Sequence, residues 1–119
     1  MLLKYKNKSI SLQAKKLSFF GKGIGLMFRT KETKNLLFYF KKNVKMAIHS
    51  YFVFFPFLAI WADKENKVME WKIVLPFTSI VKPKKYFRKL IEVPLNSKNI
   101  KIIRFFVGKK DLNIKDYKH

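Results

Sequence analysis

Few side chains of this sequence are suited to act as a nucleophile or a general base. The chain has no cysteine and two histidines, and one of these, His49, lies directly beside Ser50. Neighbouring residues of a strand point to opposite faces, so this pair does not form a nucleophile with its base. Asp63, Glu70 and Glu92 leave a general acid/base pair open, although their spacing does not indicate one. We identify no catalytic residue, and the sequence favours a binding function over an enzymatic one without excluding the latter.

Metal and cofactor sites are not indicated either. Zinc and iron sites are built from clusters of cysteine, histidine and carboxylate ligands at characteristic spacings. Here cysteine is absent, the two histidines are far apart in the chain, and the seven carboxylates are scattered. We therefore predict no metal site and no cofactor.

The most suggestive binding motif is the basic segment of residues 82–89, Lys-Pro-Lys-Lys-Tyr-Phe-Arg-Lys. Five of its eight residues are cationic and two are aromatic. Cations that neutralise phosphates, together with a ring that stacks on an unpaired base, are what single-stranded nucleic-acid binding requires. The alternative is a solvated loop whose aromatic rings turn into the core. The candidate nucleic-acid contacts are Lys82, Lys84, Lys85, Tyr86 and Arg88.

The overall charge points to the same class of partner. Lysine and arginine number 27 and the acidic residues 7, which gives a formal net charge of +20. A genome rich in A and T would enrich lysine and phenylalanine, but it would enrich glutamate as well, and glutamate occurs only four times. The shortage of acids is thus the informative feature. So positive a field attracts polyanions such as RNA or DNA.

These residues must be positioned by a small β-rich domain that spans residues 1–119. A chain of this length forms one core, and its 49% apolar residues can fill it. Asp63 to Lys67 is the clearest turn, and Val68 to Val74 alternates as a hairpin strand with one wet face. Pro56 interrupts the long apolar stretch from Val44, because proline cannot donate to a central ladder, and leaves one strand on either side. The other predicted elements are an N-terminal hairpin turning at residues 7–9, strands over 36–40 and 89–93, a helix cap at 96–99, a helix or strand over 100–107 and a last strand over 112–114.

The pattern of elements predicts a mainly β (α+β) fold. We expect a single, mostly antiparallel sheet or a partly closed barrel, with one or two short helices. Lysines interrupt the first eight residues where a secretory signal would be apolar, so we expect a cytoplasmic protein. The uncharged stretch from Met46 to Ala62 is slightly shorter than the roughly 20 residues that span a bilayer. Its many β-preferring aromatic residues predict buried strands, so no membrane span is expected.

Residues 25–29, Gly-Leu-Met-Phe-Arg, resemble the Gly-Leu-Met-x-Arg motif of an uncharacterised family, the domain of unknown function number 192. His49 is similar to what some archaeal members show at that place, whereas Leu58 stands where the family commonly has aspartate. The resemblance covers about residues 14–95 and implies a compact β-rich domain with no settled activity. The remaining matches, in the family's order, are Leu37-Phe38, Phe54-Phe55-Pro56, Asp63, Lys67-Val68, Lys82-Pro83 and Leu90 to Pro94.

Arg29 is the motif residue with the clearest chemical interest, because it is one of only three arginines. Its planar guanidinium can hold a carboxylate or phosphate in a bidentate manner, which lysine cannot do. We favour a partly buried ion pair with Asp63 or Glu92. The alternative is a small-ligand or enzymatic pocket formed by Arg29, His49, Asp63 and Glu92. A third hypothesis, a structural or partner-binding protein, requires several of the 13 phenylalanines to form an exposed patch.

Overall fold

A computed structural model of the chain describes residues 1–17, 26 and 29–108. Strands account for most of its regular structure, in agreement with the predicted mainly β class. A 3₁₀ turn over Ser97–Asn99 leads directly into the α-helix α1 (Ile100–Val107). The strands are β1 (Leu2–Tyr5), β2 (Lys8–Ser11), β3 (Lys15–Leu17), β4 (Leu36–Val44), β5 (Phe57–Ala62), β6 (Val68–Val74) and β7 (Phe87–Pro94).

Five of the strands form one open sheet in the order β3-β4-β7-β5-β6, and β1 and β2 form a separate hairpin. The pairs β4–β7, β7–β5 and β5–β6 are antiparallel, as predicted. β3 and β4 are parallel, an exception that the sequence did not indicate. The described strands therefore form an open sheet with a hairpin beside it, and the partly closed barrel is not observed.

The sheet is covered on both faces, which explains why every residue of β5 is buried. On the first face Leu58 and Ile60 pack with Ile91, under the β1–β2 hairpin and helix α1. On the second face the chain between β4 and β5 and the chain between β6 and β7 cover the strands. Residues buried on that face include Phe57, Ala59 and Trp61 of β5, Val53, Phe55 and Val81 of the covering chain, and Phe87 of β7.

Two local motifs define the ends of elements. Asp63 Oδ1 accepts hydrogen bonds from the backbone N–H groups of Glu65 and Lys67, both at 2.9 Å, and so closes the predicted β5–β6 turn. Asn66 in this turn has a φ of 68°, a left-handed conformation that asparagine tolerates. Asn96 Oδ1 accepts from the Asn99 N–H at 3.0 Å, which confirms the predicted helix cap.

Three predicted elements differ from the structure or lie outside the described residues. The strand expected before Pro56 is absent from the described chain between β4 and β5, where Ile48 makes only an isolated bridge to Val81. This chain bonds to the β6–β7 connection instead, for example through Ser50 N–H to Thr78 O at 2.9 Å, so the apolar run does not mark a sheet strand. The N-terminal hairpin turns at Lys6 and Asn7 rather than at residues 7–9. The last predicted strand, over 112–114, lies outside the described residues.

Within the described part of the chain, no helix reaches the length and apolarity of a membrane span. The uncharged stretch from Met46 ends in the buried strand β5, as the aromatic content predicted.

Candidate polyanion-binding site

The predicted basic segment crosses the second face of the sheet on its way from β6 to β7. Its lysines Lys82, Lys84 and Lys85 are exposed, and Tyr86 has 61% of its surface exposed. The Lys84 N–H donates to Glu70 Oε2 at 2.8 Å, which ties the segment to the edge strand β6. Of the two aromatic rings, Phe87 is buried in the core, as the alternative of a solvated loop required, whereas Tyr86 remains in solvent.

Arg88 lies apart from these lysines, on the other side of the start of β7. Its Nε donates to the Phe40 carbonyl at 2.8 Å and its Nη2 to the Tyr39 hydroxyl at 3.3 Å. The register between β4 and β7 shifts between Tyr39 and Val44, an irregularity of the kind that re-aims a side chain. The shift thus accounts for the contact of Arg88 with Tyr39.

Three cations surround the ring of Tyr39. Lys16 Nζ lies 5.2 Å from the ring centroid, and Arg88 Cζ and Lys89 Nζ each lie 5.7 Å from it. Lys89 is the register partner of Tyr39 across β4 and β7, and Lys16 belongs to the neighbouring edge strand β3. These distances are within the cation–π range. We call the set Lys16, Tyr39, Arg88 and Lys89 the Tyr39 cluster.

The cluster has a net positive charge that no described carboxylate neutralises. Lys89 Nζ donates to the Lys64 carbonyl at 3.4 Å and to Asn66 Oδ1, and both acceptors are neutral. Ion pairs in residues 1–17, 26 and 29–108 are Lys72–Glu70 and Lys98–Glu32, and neither involves the cluster. Because like charges at this separation repel, an approaching anion gains attraction from all three cations.

A second aromatic ring with a nearby cation lies at the same end of the sheet. Lys45, just beyond the end of β4, places its Nζ 5.8 Å from the centroid of Tyr86. Tyr86 precedes Arg88 by two residues, so the start of β7 connects this ring to the Tyr39 cluster. The arrangement offers two ring-and-cation stations along one short piece of chain.

The four residues of the predicted pocket are dispersed. His49 is exposed, and its Nδ1 accepts from the Tyr51 N–H at 3.2 Å. Asp63 closes the β5–β6 turn, and Arg29 Nη1 donates to Thr33 Oγ1 at 3.4 Å. The predicted ion pair of Arg29 with Asp63 or Glu92 is absent from the contacts of the described chain. Two surface clefts lined by described residues, of about 530 and 460 Å³, include none of the four.

Glu92 is the one member of this group in an unusual environment. It lies in the middle of β7 between Leu36 of β4 and Ala59 of β5, and it is 6% exposed. Burial raises the pKa of its carboxyl from 4.5 to about 8, because the charged form loses its hydration. Its Oε1 and the Trp61 Nε1, both buried, have no hydrogen-bond partner among the described residues.

Sequence reasoning found Arg88 but missed the rest of the Tyr39 cluster. Tyr39 lies inside an apolar run that predicted only a buried strand, and Lys16 belongs to a segment assigned to an N-terminal hairpin. The parallel pairing of β3 with β4 brings Lys16 to Tyr39, and this pairing is not encoded locally. Lys89 was the one available signal, since it ends the basic segment at a strand start.

Comparisons with known proteins identify the fold but no family. No family model matches the chain, and no curated protein matches it either. A crystal structure of a protein of unknown function from Novosphingobium aromaticivorans is similar, with a TM-score of 0.68 and 12% identity over 85% of this chain and 74% of that chain. A "putative transcription regulator" from Sinorhizobium meliloti has a TM-score of 0.70 and 12% identity over 85% of this chain and 81% of its own. The likeness at this identity shows a shared fold alone.

Proposed function

We propose that this small β-rich domain is a non-enzymatic binding module for a polyanion, with single-stranded RNA or DNA as the partner class. The proposal is carried by the Tyr39 cluster, in which Lys16, Arg88 and Lys89 surround one ring without a neutralising carboxylate. Such a group of cations lowers the free energy of a bound phosphate chain and releases its counterions.

Tyr86 and its neighbours favour a nucleic acid over other polyanions. Tyr86 is well exposed, and Lys45, Lys84 and Lys85 are exposed close to it in the chain or in space. A ring in solvent beside cations can stack on an unpaired base while the cations bind the phosphates. The description of one structural neighbour as a transcription regulator is in line with such a partner.

A charge-matched pair of triple variants tests the proposal. The first combines Lys16→Gln, Lys84→Gln and Lys85→Gln, which removes three exposed cations from the proposed surface. The control combines Lys8→Gln, Lys31→Gln and Lys101→Gln, three exposed lysines elsewhere, and changes the net charge equally. Anisotropy of a labelled oligouridine is measured with each protein over a series of salt concentrations.

We expect the first triple variant to lose at least about tenfold in affinity and to show a shallower salt dependence, by about 0.7 per lost phosphate contact on a single strand. The control should change affinity by less than about threefold. Equal losses in both variants would mean that the charge acts diffusely, and no retention of the wild type at low salt would exclude the function.

We also propose that the chain is an archaeal-like member of the domain of unknown function number 192. The order of matching motifs over about residues 14–95 and the β-rich fold support this membership. Residues 25, 27 and 28 of the principal motif lie outside the described residues. An experimental structure of a chain with the full motif set would test it, because a member should show the strand order β3-β4-β7-β5-β6.

A further inference from the structure

One end of the second face exposes a group of large apolar side chains. They come from two connections, residues 45–56 between β4 and β5 and residues 75–86 between β6 and β7. Ile80 is the most exposed of them, at 70%, and Phe54 follows at 56%. We call this group the apolar end; its members are Met46, Tyr51, Phe52, Phe54, Leu75, Phe77 and Ile80.

Hydrogen bonds centred on Ser50 hold the two connections together. The fully buried Ser50 Oγ donates to the Leu75 carbonyl at 2.6 Å and accepts from the Thr78 N–H at 2.6 Å. The Phe77 N–H donates to the Ser50 carbonyl at 2.9 Å, and the rings of Phe54 and Phe77 meet at 5.4 Å between centroids. The exposed side chains therefore belong to one fixed surface and not to two independent loops.

Two phenylalanines of the apolar end have a backbone conformation that bulky residues rarely adopt. Phe52 and Phe77 both have a φ of 59°, in the left-handed region. Each such residue costs of the order of 1–3 kcal/mol and persists where the surroundings enforce it, commonly at functional sites. Here both strained residues keep about half of their surface in solvent.

We propose that the apolar end docks on the surface of an anionic lipid bilayer. Residues 45–56 and 75–86 contain no aspartate or glutamate, whereas Lys45, Lys82, Lys84 and Lys85 flank the apolar side chains and are exposed. Apolar and aromatic side chains enter the boundary between headgroups and acyl chains, and each nearby lysine adds attraction to an anionic leaflet. Charge complementarity thus selects an anionic surface.

Other occupants fit the apolar end less well. Aliphatic Leu75 and Ile80 have no ring for a base to stack on, which disfavours nucleic acid. A second copy of the chain would bring the same lysines face to face, and like charges repel. A protein partner requires a complementary pocket or groove, and the two clefts lined by described residues include none of these side chains. A bilayer accepts protruding side chains without such a pocket.

Vesicle flotation tests the proposal with a matched pair of variants of the full chain. Ile80→Ser removes an exposed aliphatic side chain from the apolar end, and Leu2→Ser removes one from the β1–β2 hairpin, which covers the opposite face. Vesicles of phosphatidylcholine with phosphatidylglycerol are compared with vesicles of phosphatidylcholine alone. Because both side chains lie largely in solvent, both variants should fold, and circular dichroism verifies this.

We expect the wild type to float with the vesicles that contain phosphatidylglycerol and not with the neutral ones. Ile80→Ser should lower the partition coefficient about tenfold, since a buried aliphatic side chain is lost, and Leu2→Ser by less than about twofold. Binding that is insensitive to Ile80→Ser would overturn the proposal, because the lysines alone would then account for it. So would the absence of flotation, or sedimentation of the wild type as a dimer that Ile80→Ser dissociates.

The oligouridine titration separates this proposal from the nucleic-acid one. Ile80→Ser should leave oligouridine affinity within about twofold of wild type, because it removes no cation and no stacking ring. A tenfold loss there would assign the apolar end to nucleic acid and overturn the lipid assignment.

Discussion

The buried carboxyl of Glu92 makes the stability of the fold depend on pH. Its pKa in the native state is about 8, above the ordinary 4.5, because burial disfavours the charged form. The native state therefore binds this proton more tightly than the unfolded chain does. The stabilisation is fully present below about pH 4.5 and is lost as pH rises from there through about 8.

The magnitude follows from that interval. One bound proton changes the free energy of unfolding by about 1.4 kcal/mol per pH unit. Between pH 5 and pH 7 the loss is therefore about 3 kcal/mol, and over the whole interval about 5 kcal/mol. For a domain of this size a loss of 3 kcal/mol lowers the urea midpoint by about 1–3 M.

Glu92→Gln removes the titration and keeps the shape of the side chain. We expect its urea midpoint, followed by tryptophan fluorescence, to be nearly constant from pH 5 to pH 8 while that of the wild type falls. Glu65→Gln, which changes an exposed carboxyl, serves as the control and should keep the slope of the wild type. The buried amide lowers stability at every pH, so the slope is the quantity compared. A Glu92→Gln slope as steep as that of the wild type would refute the assignment.

Two further predictions concern the exposed connections. Ser50→Ala should lower the free energy of unfolding by about 1–3 kcal/mol, measured by urea unfolding at pH 6, because a buried carbonyl and N–H lose their partner; a change below about 0.5 kcal/mol would contradict the role of Ser50 in joining the two connections. Tyr86→Leu should lower oligouridine affinity about tenfold and leave the affinity for inorganic polyphosphate, which has no bases, unchanged. Equal losses for both ligands would contradict base stacking.

Much of the sheet was predictable because its signals are local. Val68 to Val74 alternates as expected, with Trp71 and Ile73 packed on the first face and Lys72 on the side of the second. Asp63 closes its turn, and Asn96 caps the 3₁₀ turn that leads into α1. Short-range patterning and side-chain hydrogen bonding decide these features.

The features that the sequence did not reveal depend on contacts distant in the chain. The run before Pro56 has the composition of a strand, yet it forms hydrogen bonds with residues 77–81 outside the sheet. Lys16 meets Tyr39 through a parallel pairing across 18 intervening residues. The candidate contacts at Lys82, Lys84, Lys85, Tyr86 and Arg88 were found from composition, but only the fold shows that Arg88 faces a different ring from the others.

The position of β7 has a consequence for synthesis. This strand is the last of the described strands in chain order, yet it lies at the centre of the sheet, between β4 and β5. Until residue 94 has left the ribosome, β4 and the β5–β6 hairpin each present an apolar edge with no neighbour to pair with. Such edges are prone to associate between nascent chains. The cell must therefore protect most of this polypeptide during translation, and premature termination before β7 would release a chain that cannot close its core.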